Sequence, residues 1–209
     1  MSRSWIRALT HRLRGAVTQP IRNHISQPQL EHLEVRLVPA LQAPPTAPLP
    51  TNFTPIAVAL PNLNGDSLPD FAALSASGTL TTALNSGANT WVNATTTSLG
   101  VTSAAGFAFG ALNQDPFNDM VVQVPNGLLI GYGDGTGRFA DLHTLTLGAP
   151  GVFVDPSGAQ IQPAIGHLFN DTFSDVVTVN PQQNQVIVLR GDGTGGFSTP
   201  ALSTCVVFT

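Results

Sequence analysis

A ten-residue segment, PNLNGDSLPD at Pro61–Asp70, constrains this chain most, because two altered copies of it recur further on. Counted from Asn62, oxygen-bearing side chains stand at loop positions 1, 3, 5 and 9: Asn62, Asn64, Asp66 and Asp70. Gly65 at position 4 allows a tight backbone turn. Alternate side chains of a curled segment converge on one point, and hard cations such as calcium take several oxygen ligands from a short flexible loop. With the last loop aspartates aligned (Asp70, Asp119, Asp175), each is followed by an apolar run: FAALS, MVVQV, VVTVN. A second apolar run comes next (LTTAL, LLIGY, QVIVL), and then a glycine-rich turn ending in an aromatic: NSGANTW, GDGTGRF, GDGTGGF.

The loop aspartate and the aromatic are 21, 20 and 22 residues apart, so the interior of each copy is nearly constant in length. From each aromatic to the next loop aspartate the spacing is 28, then 36, with the insertion around Pro150–Gln162. Fixed cores with variable connections are how repeat architectures tolerate change. One short strand is expected before each loop (IAVAL, FAFGA, PAIGH), two after it, and a fourth after the aromatic (WVNATTTSL, FADLHTLTL, FSTPALST). Four antiparallel strands per repeat of about 50 residues is a propeller blade. The expected fold is therefore all-β, a partial β-propeller of three four-stranded antiparallel blades at 53–100, 104–148 and 160–208.

In these motifs the chain resembles the FG-GAP/VCBS repeats of integrin-alpha-like propellers, whose units carry DxNGDGxxD, a strand pair and GDGTF; the likeness covers roughly Phe53–Phe208. Propellers close with about four to eight blades, so three imply an open arc or a fragment of a longer product, or else two chains paired into a six-bladed ring. Exposed blade edges make self-association an expectation.

The resemblance implies calcium in the loops. The first copy retains Asn62, Asn64, Asp66 and Asp70. The second has Ala111 at position 1, leaving Asn113, Asp115 and Asp119. The third has His167 and Phe169 at positions 1 and 3, leaving Asp171 and Asp175. With two formal charges per site, affinity would be weak, on the order of 10⁻⁴–10⁻³ M, and Asn62–Asp70 is the expected calcium loop. The alternative is that the carboxylates hydrogen-bond the backbone of Asx-type turns. EF-hands are excluded: position 12 is Ala73, Val122 or Thr178, each in an expected strand rather than a glutamate entering a helix.

Charge divides the chain. Six of its eight arginines and both glutamates lie in the first forty residues, and all ten aspartates follow residue 60, with no lysine anywhere. An acidic body repels phosphate backbones, so nucleic acid is not an expected partner. Residues 1–40 read as a basic leader, either an amphipathic helix (Trp5, Ile6, Leu9, Leu13, Val17) or a disordered tail. Its LEHLEVRLVPA at Leu30–Ala40 resembles the LExLExRLxPA element near the start of many large bacterial secreted and surface proteins. That implies export to the cell surface or beyond. Residues 41–52 read as a proline-rich spacer. Cys205, the only cysteine, excludes an internal disulfide, and no apolar stretch is long enough for a transmembrane helix.

No catalytic residues are assigned. GDGTGG at Gly191–Gly196 fits a phosphate-loop pattern literally, but a strand follows where such a loop needs a helix; its glycines supply positive φ and its aspartate caps the turn. No GxSxG or HExxH occurs. The expected function is a non-catalytic extracellular module that binds a protein or a surface glycan. The alternatives are a partial propeller of a glycan-processing or hydrolase-like enzyme, or a truncated copy without independent function.

Overall fold

The computed structural model describes residues 52–198, apart from 88–89, 150–152, 154, 156 and 158–159. All of these lie in the second of the two units into which the chain divides, Met1–Gln42 and Ala43–Thr209. The basic leader, nearly all of the proline-rich spacer and Cys205 lie outside the described residues.

Twelve strands form three four-stranded antiparallel sheets, with no helix among the described residues. Blade 1 comprises β1 (Pro55–Ala59), β2 (Phe71–Ser75), β3 (Thr79–Asn85) and β4 (Trp91–Ser98). Blade 2 comprises β5 (Gly106–Gly110), β6 (Asp119–Val124), β7 (Gly127–Gly133) and β8 (Phe139–Thr146). Blade 3 comprises β9 (Ala164–Gly166), β10 (Asp175–Asn180), β11 (Gln185–Gly191) and β12 (Phe197–Ser198). Strands pair with their sequence neighbours in every sheet, so each blade is a meander. β5 lies beside both β1 and β9, which sets the blades side by side in chain order as a partial β-propeller. β9 is shorter than the expected PAIGH, and β12 ends at Ser198, where the described residues stop.

Packing explains why the middle strands read as unbroken apolar runs rather than as alternating ones. Every residue of β6 is buried, because blade 2 has a neighbour on both faces. Toward blade 1, Phe107, Met120, Val122 and Leu129 pack with Ala72, Leu74 and Leu80. Toward blade 3, Val121, Leu128 and Ile130 pack with Val176, Ile187 and Leu189. Full burial of such side chains stabilises by about 1.5–3 kcal/mol each. The long connection between blades 2 and 3 contributes Phe153, completely buried in the second cluster, with its amide on the Pro125 carbonyl at 3.3 Å.

The glycine turns join successive blades. Gly137, at φ +85°, sits against Leu84 and Thr82 of blade 1, and the Thr82 hydroxyl donates to its carbonyl at 2.6 Å. The corresponding Gly195, at φ +91°, sits on the Tyr132 ring of blade 2. The outer strands of blades 1 and 2 also carry a bulge. The β3–β4 register slips between Thr82 and Leu84, and the β7–β8 register between Ile130 and Tyr132. Asn93 and Asp141, each two residues past the turn aromatic, take left-handed φ of 52° and 50° there.

Candidate functional site

The three Asn/Asp loops share one internal plan. Each last aspartate is completely buried at the head of a second strand, and its two oxygens serve different parts of the blade. Asp70 Oδ2 accepts the Leu63 amide at 2.6 Å, closing its own loop, while Oδ1 accepts the Asn85 amide at 2.8 Å, at the end of the third strand. Asp119 repeats this with Leu112 at 2.7 Å, Asn113 at 3.2 Å and Gly133 at 3.0 Å. Asp175 does so with Leu168 at 2.8 Å, Phe169 at 3.3 Å and Gly191 at 3.0 Å. Burial pushes the Asp119 carboxyl above the usual carboxylate range, against the opposing pull of its three amide donors.

Positions 1, 3 and 5 form the outer part of each loop. Asp66 Oδ1 accepts the Leu68 amide at 2.6 Å, and Oδ2 accepts Asn64 Nδ2 at 2.8 Å. Asn64 Oδ1 takes the Asp66 amide and Asn62 Oδ1 the Gly65 amide. In the second loop, Asp115 holds the Phe117 amide at 2.8 Å and Asn113 Nδ2 at 2.7 Å. In the third, Asp171 Oδ1 holds the Phe173 amide at 3.1 Å, but Oδ2 accepts Arg190 Nη2 at 2.8 Å and Nε at 3.1 Å. The Arg190 guanidinium lies 5.0 Å from the centre of the Phe169 ring, and its hydrogen bond is the chief cause of a lowered Asp171 pKa.

Among the described residues, no group of three or more His, Cys, Asp or Glu side chains is gathered as a metal cluster. Tested against calcium chemistry, the first loop has a suitable donor set. Asn62, Asn64 and Asp66 are solvent-accessible oxygen donors, each with lone pairs beyond those used in the turn. The second loop keeps Asn113 and Asp115 as the accessible pair.

The junctions between loops differ. Between blades 1 and 2, Asn118 Nδ2 reaches the Asn62 carbonyl at 2.9 Å, and Phe117 packs beside Gly65. Between blades 2 and 3 the residue equivalent to Asn118 is Ser174, too short for that reach. A recess of about 480 Å³ lies there, edged by Asn113, Gln114, His167, Thr172, Phe173 and Ser174. His167 Nδ1 lies 2.9 Å from the Phe173 carbonyl, which only accepts. Nδ1 therefore carries the proton, leaving Nε2 as an acceptor in the neutral ring. A second cleft, of about 570 Å³, runs between Asn93–Thr95 of blade 1 and Asp134, Thr136 and Arg138 of blade 2. In it, partial burial of Asp134 is outweighed by hydrogen bonds from Thr136 and the Arg138 amide, which hold its carboxyl below the usual range. Gln114, Ser174 and Arg190 were not singled out from sequence, though alignment of the loop copies exposes the Asn118-to-Ser174 change.

The recess offers amides, hydroxyls, an imidazole acceptor and an aromatic edge, an arrangement suited to hydrogen-bonding a polar ligand. No helix among the described residues is long and apolar enough to cross a membrane, which leaves β-barrel spans unaddressed. Neither a family model nor a curated protein matches the sequence. Among solved structures, the fold is similar to a lectin of Agrocybe aegerita described as recognising non-reducing terminal N-acetylglucosamine, with a TM-score of 0.51 and 20% identity. The match covers 71% of this chain and 38% of the lectin chain, so it spans well under half of that protein's length.

Proposed function

Starting from the similarity in fold to a β-rich lectin, we propose that the three blades are a non-catalytic binding module of FG-GAP/VCBS type whose ligand is a glycan. The observation that carries this reading is the open recess between the second and third loops. Sugar hydroxyls both donate and accept, and the recess supplies both complements: His167 Nε2 and the amide oxygens of Asn113 and Gln114 accept, while their NH₂ groups and the Thr172 hydroxyl donate. The Phe173 side chain supplies apolar surface for a pyranose face.

A calcium ion belongs to the same proposal at the first loop, where Asn62, Asn64 and Asp66 would hold it beside the Asp70-closed backbone. Its role there would be rigidity of the loop. The LExLExRLxPA-like leader supports export, which would place the module where surface glycans are found.

A glycan array probed with the full chain tests this reading, with N-acetylglucosamine-terminated oligosaccharides among the probes. Binding that a His167→Ala/Gln114→Ala variant loses while staying folded supports the recess as the site. Release of sugar from a bound glycan, measured as reducing ends over hours, would replace the module with an enzyme. A folded chain that retains no glycan on the array would overturn the proposal.

A further inference from the structure

We infer that Arg190 is the built-in cation of the third loop, so that this copy holds its carboxylate with a guanidinium and takes no metal ion. The three loops act as one another's controls. In the first two, the position-5 carboxylate (Asp66, Asp115) receives one backbone amide on Oδ1 and the position-3 asparagine amide on Oδ2. In the third, the amide on Oδ1 is retained as Phe173 N, but position 3 is Phe169, whose side chain has no donor to offer. The empty place at Asp171 Oδ2 is taken by two nitrogens of Arg190.

The change involves residues distant in sequence. Arg190 pairs with Ser198, next to the pairing of Gly191 with the turn aromatic Phe197. Tyr132 opposite Ala140 and Leu84 opposite Val92 occupy the same position in the other two blades. Only blade 3 carries a cation there, and only blade 3 carries an aromatic at loop position 3. The ring and the guanidinium lie within cation–π reach of each other, so Phe169 orients the group that stands in for the asparagine side-chain amide of the other two loops.

The donor set agrees. His167 at position 1 turns Nδ1 to the Phe173 carbonyl, and Asp175 spends both oxygens on backbone amides. An ion entering this loop would find one accessible carboxylate and a positive charge already on it. This assignment stands independently of the glycan reading.

Urea unfolding of the full chain with single and double variants tests it. Arg190→Leu should lower the midpoint by roughly 0.3–0.5 M. Phe169→Asn combined with Arg190→Leu, which rebuilds the pattern of the first loop, should recover most of that loss. Wild-type stability in Arg190→Leu, or a double variant whose loss is the sum of the two single losses, would overturn the inference. A second readout addresses the ion: the calcium-induced change in midpoint should be the same for Asp171→Asn as for the wild type. A smaller calcium response in Asp171→Asn would contradict the assignment.

Discussion

The Tyr132 hydroxyl donates to the Gly195 carbonyl at 2.9 Å, joining the third strand of blade 2 to the glycine turn of blade 3 across 63 positions of sequence. Burial, aided by Asp119, Asp192 and Asp141, pushes the phenol pKa up, which favours the protonated form that donates this bond. A Cβ on Gly195 would come within 2.5 Å of the same ring, at a φ of +91° that side chains rarely adopt. Tyr132→Phe should therefore cost about 1 kcal/mol. Gly195→Ala should cost more, through both strain and contact. Gly166→Ala, which meets nothing within 4 Å and has no unusual φ, should cost well under either. Urea denaturation of the three variants checks the order.

The fully buried, loop-closing aspartates should matter more to stability than the half-buried or exposed ones beside them. Asp119→Asn puts an NH₂ group where an oxygen accepted backbone amides, so at least one buried N–H loses its partner, at about 1–3 kcal/mol. Asp115→Asn affects bonds that water can replace and should stay within about 0.5 kcal/mol. Equal losses in the two variants would mean that the buried aspartates do not organise the blade.

Acid should act through the turn aspartates. The Thr194 hydroxyl, with backbone amides behind it, holds Asp192 below the usual carboxylate range, and Asp134 is shifted the same way. A depressed folded pKa contributes stability that is present above the unfolded value near 3.9 and is lost as pH falls through the folded one. Asp119 has the opposite sign: its raised pKa favours the folded state in acid, and that advantage is lost as pH rises through the folded value. Scanning calorimetry from pH 2 to pH 6 should show Tm falling below about pH 4, and falling less in Asp134→Asn/Asp192→Asn.

Calcium should raise the melting temperature if the first loop holds it. For a Kd of about 1 mM, 10 mM calcium adds about 1.4 kcal/mol to stability, or roughly 3–5 °C for a domain of this size. Asp66→Ala should abolish the shift, and magnesium at the same concentration should give less, because it prefers rigid octahedral geometry.

The strands were legible in the chain because blade-forming segments carry local signals. FAALS, read from its position after the loop, is β2 without a shift of either end, and β6 and β10 begin one residue early, on the buried aspartate itself. Gly65, Gly87, Gly135, Gly137, Gly193 and Gly195 take the positive φ expected of them, whereas Gly191 and Gly196 of the third turn do not, Gly191 being the last residue of β11. What stayed hidden depends on residues far apart. Asp70 reads locally as a turn residue or an ion ligand, yet one of its oxygens serves Asn85, fifteen positions on. Asn93 and Asp141 look like ordinary polar strand residues, and only pairing with the neighbouring strand reveals the bulges. Arg190 carries no motif of its own; its role appears once β11 is laid against the third loop. The change from Asn118 to Ser174 is likewise a difference between two junctions, visible only when they are laid side by side.

The reading of the chain as a glycan-binding module is tested most directly by calorimetric titration of the full chain with a panel of oligosaccharides that differ in their terminal sugar, beside a Ser174→Asn variant. An asparagine there is the counterpart of Asn118, with the Ala111 carbonyl in the place of the Asn62 carbonyl, and it puts a larger side chain into the wall of the recess. The account predicts saturable binding to the wild type and at least a tenfold weaker Kd, about 1.4 kcal/mol, in a variant whose melting temperature is unchanged or higher. Equal affinity in both proteins would contradict the recess as the site, and a folded wild type that binds none of the glycans offered would contradict the module itself.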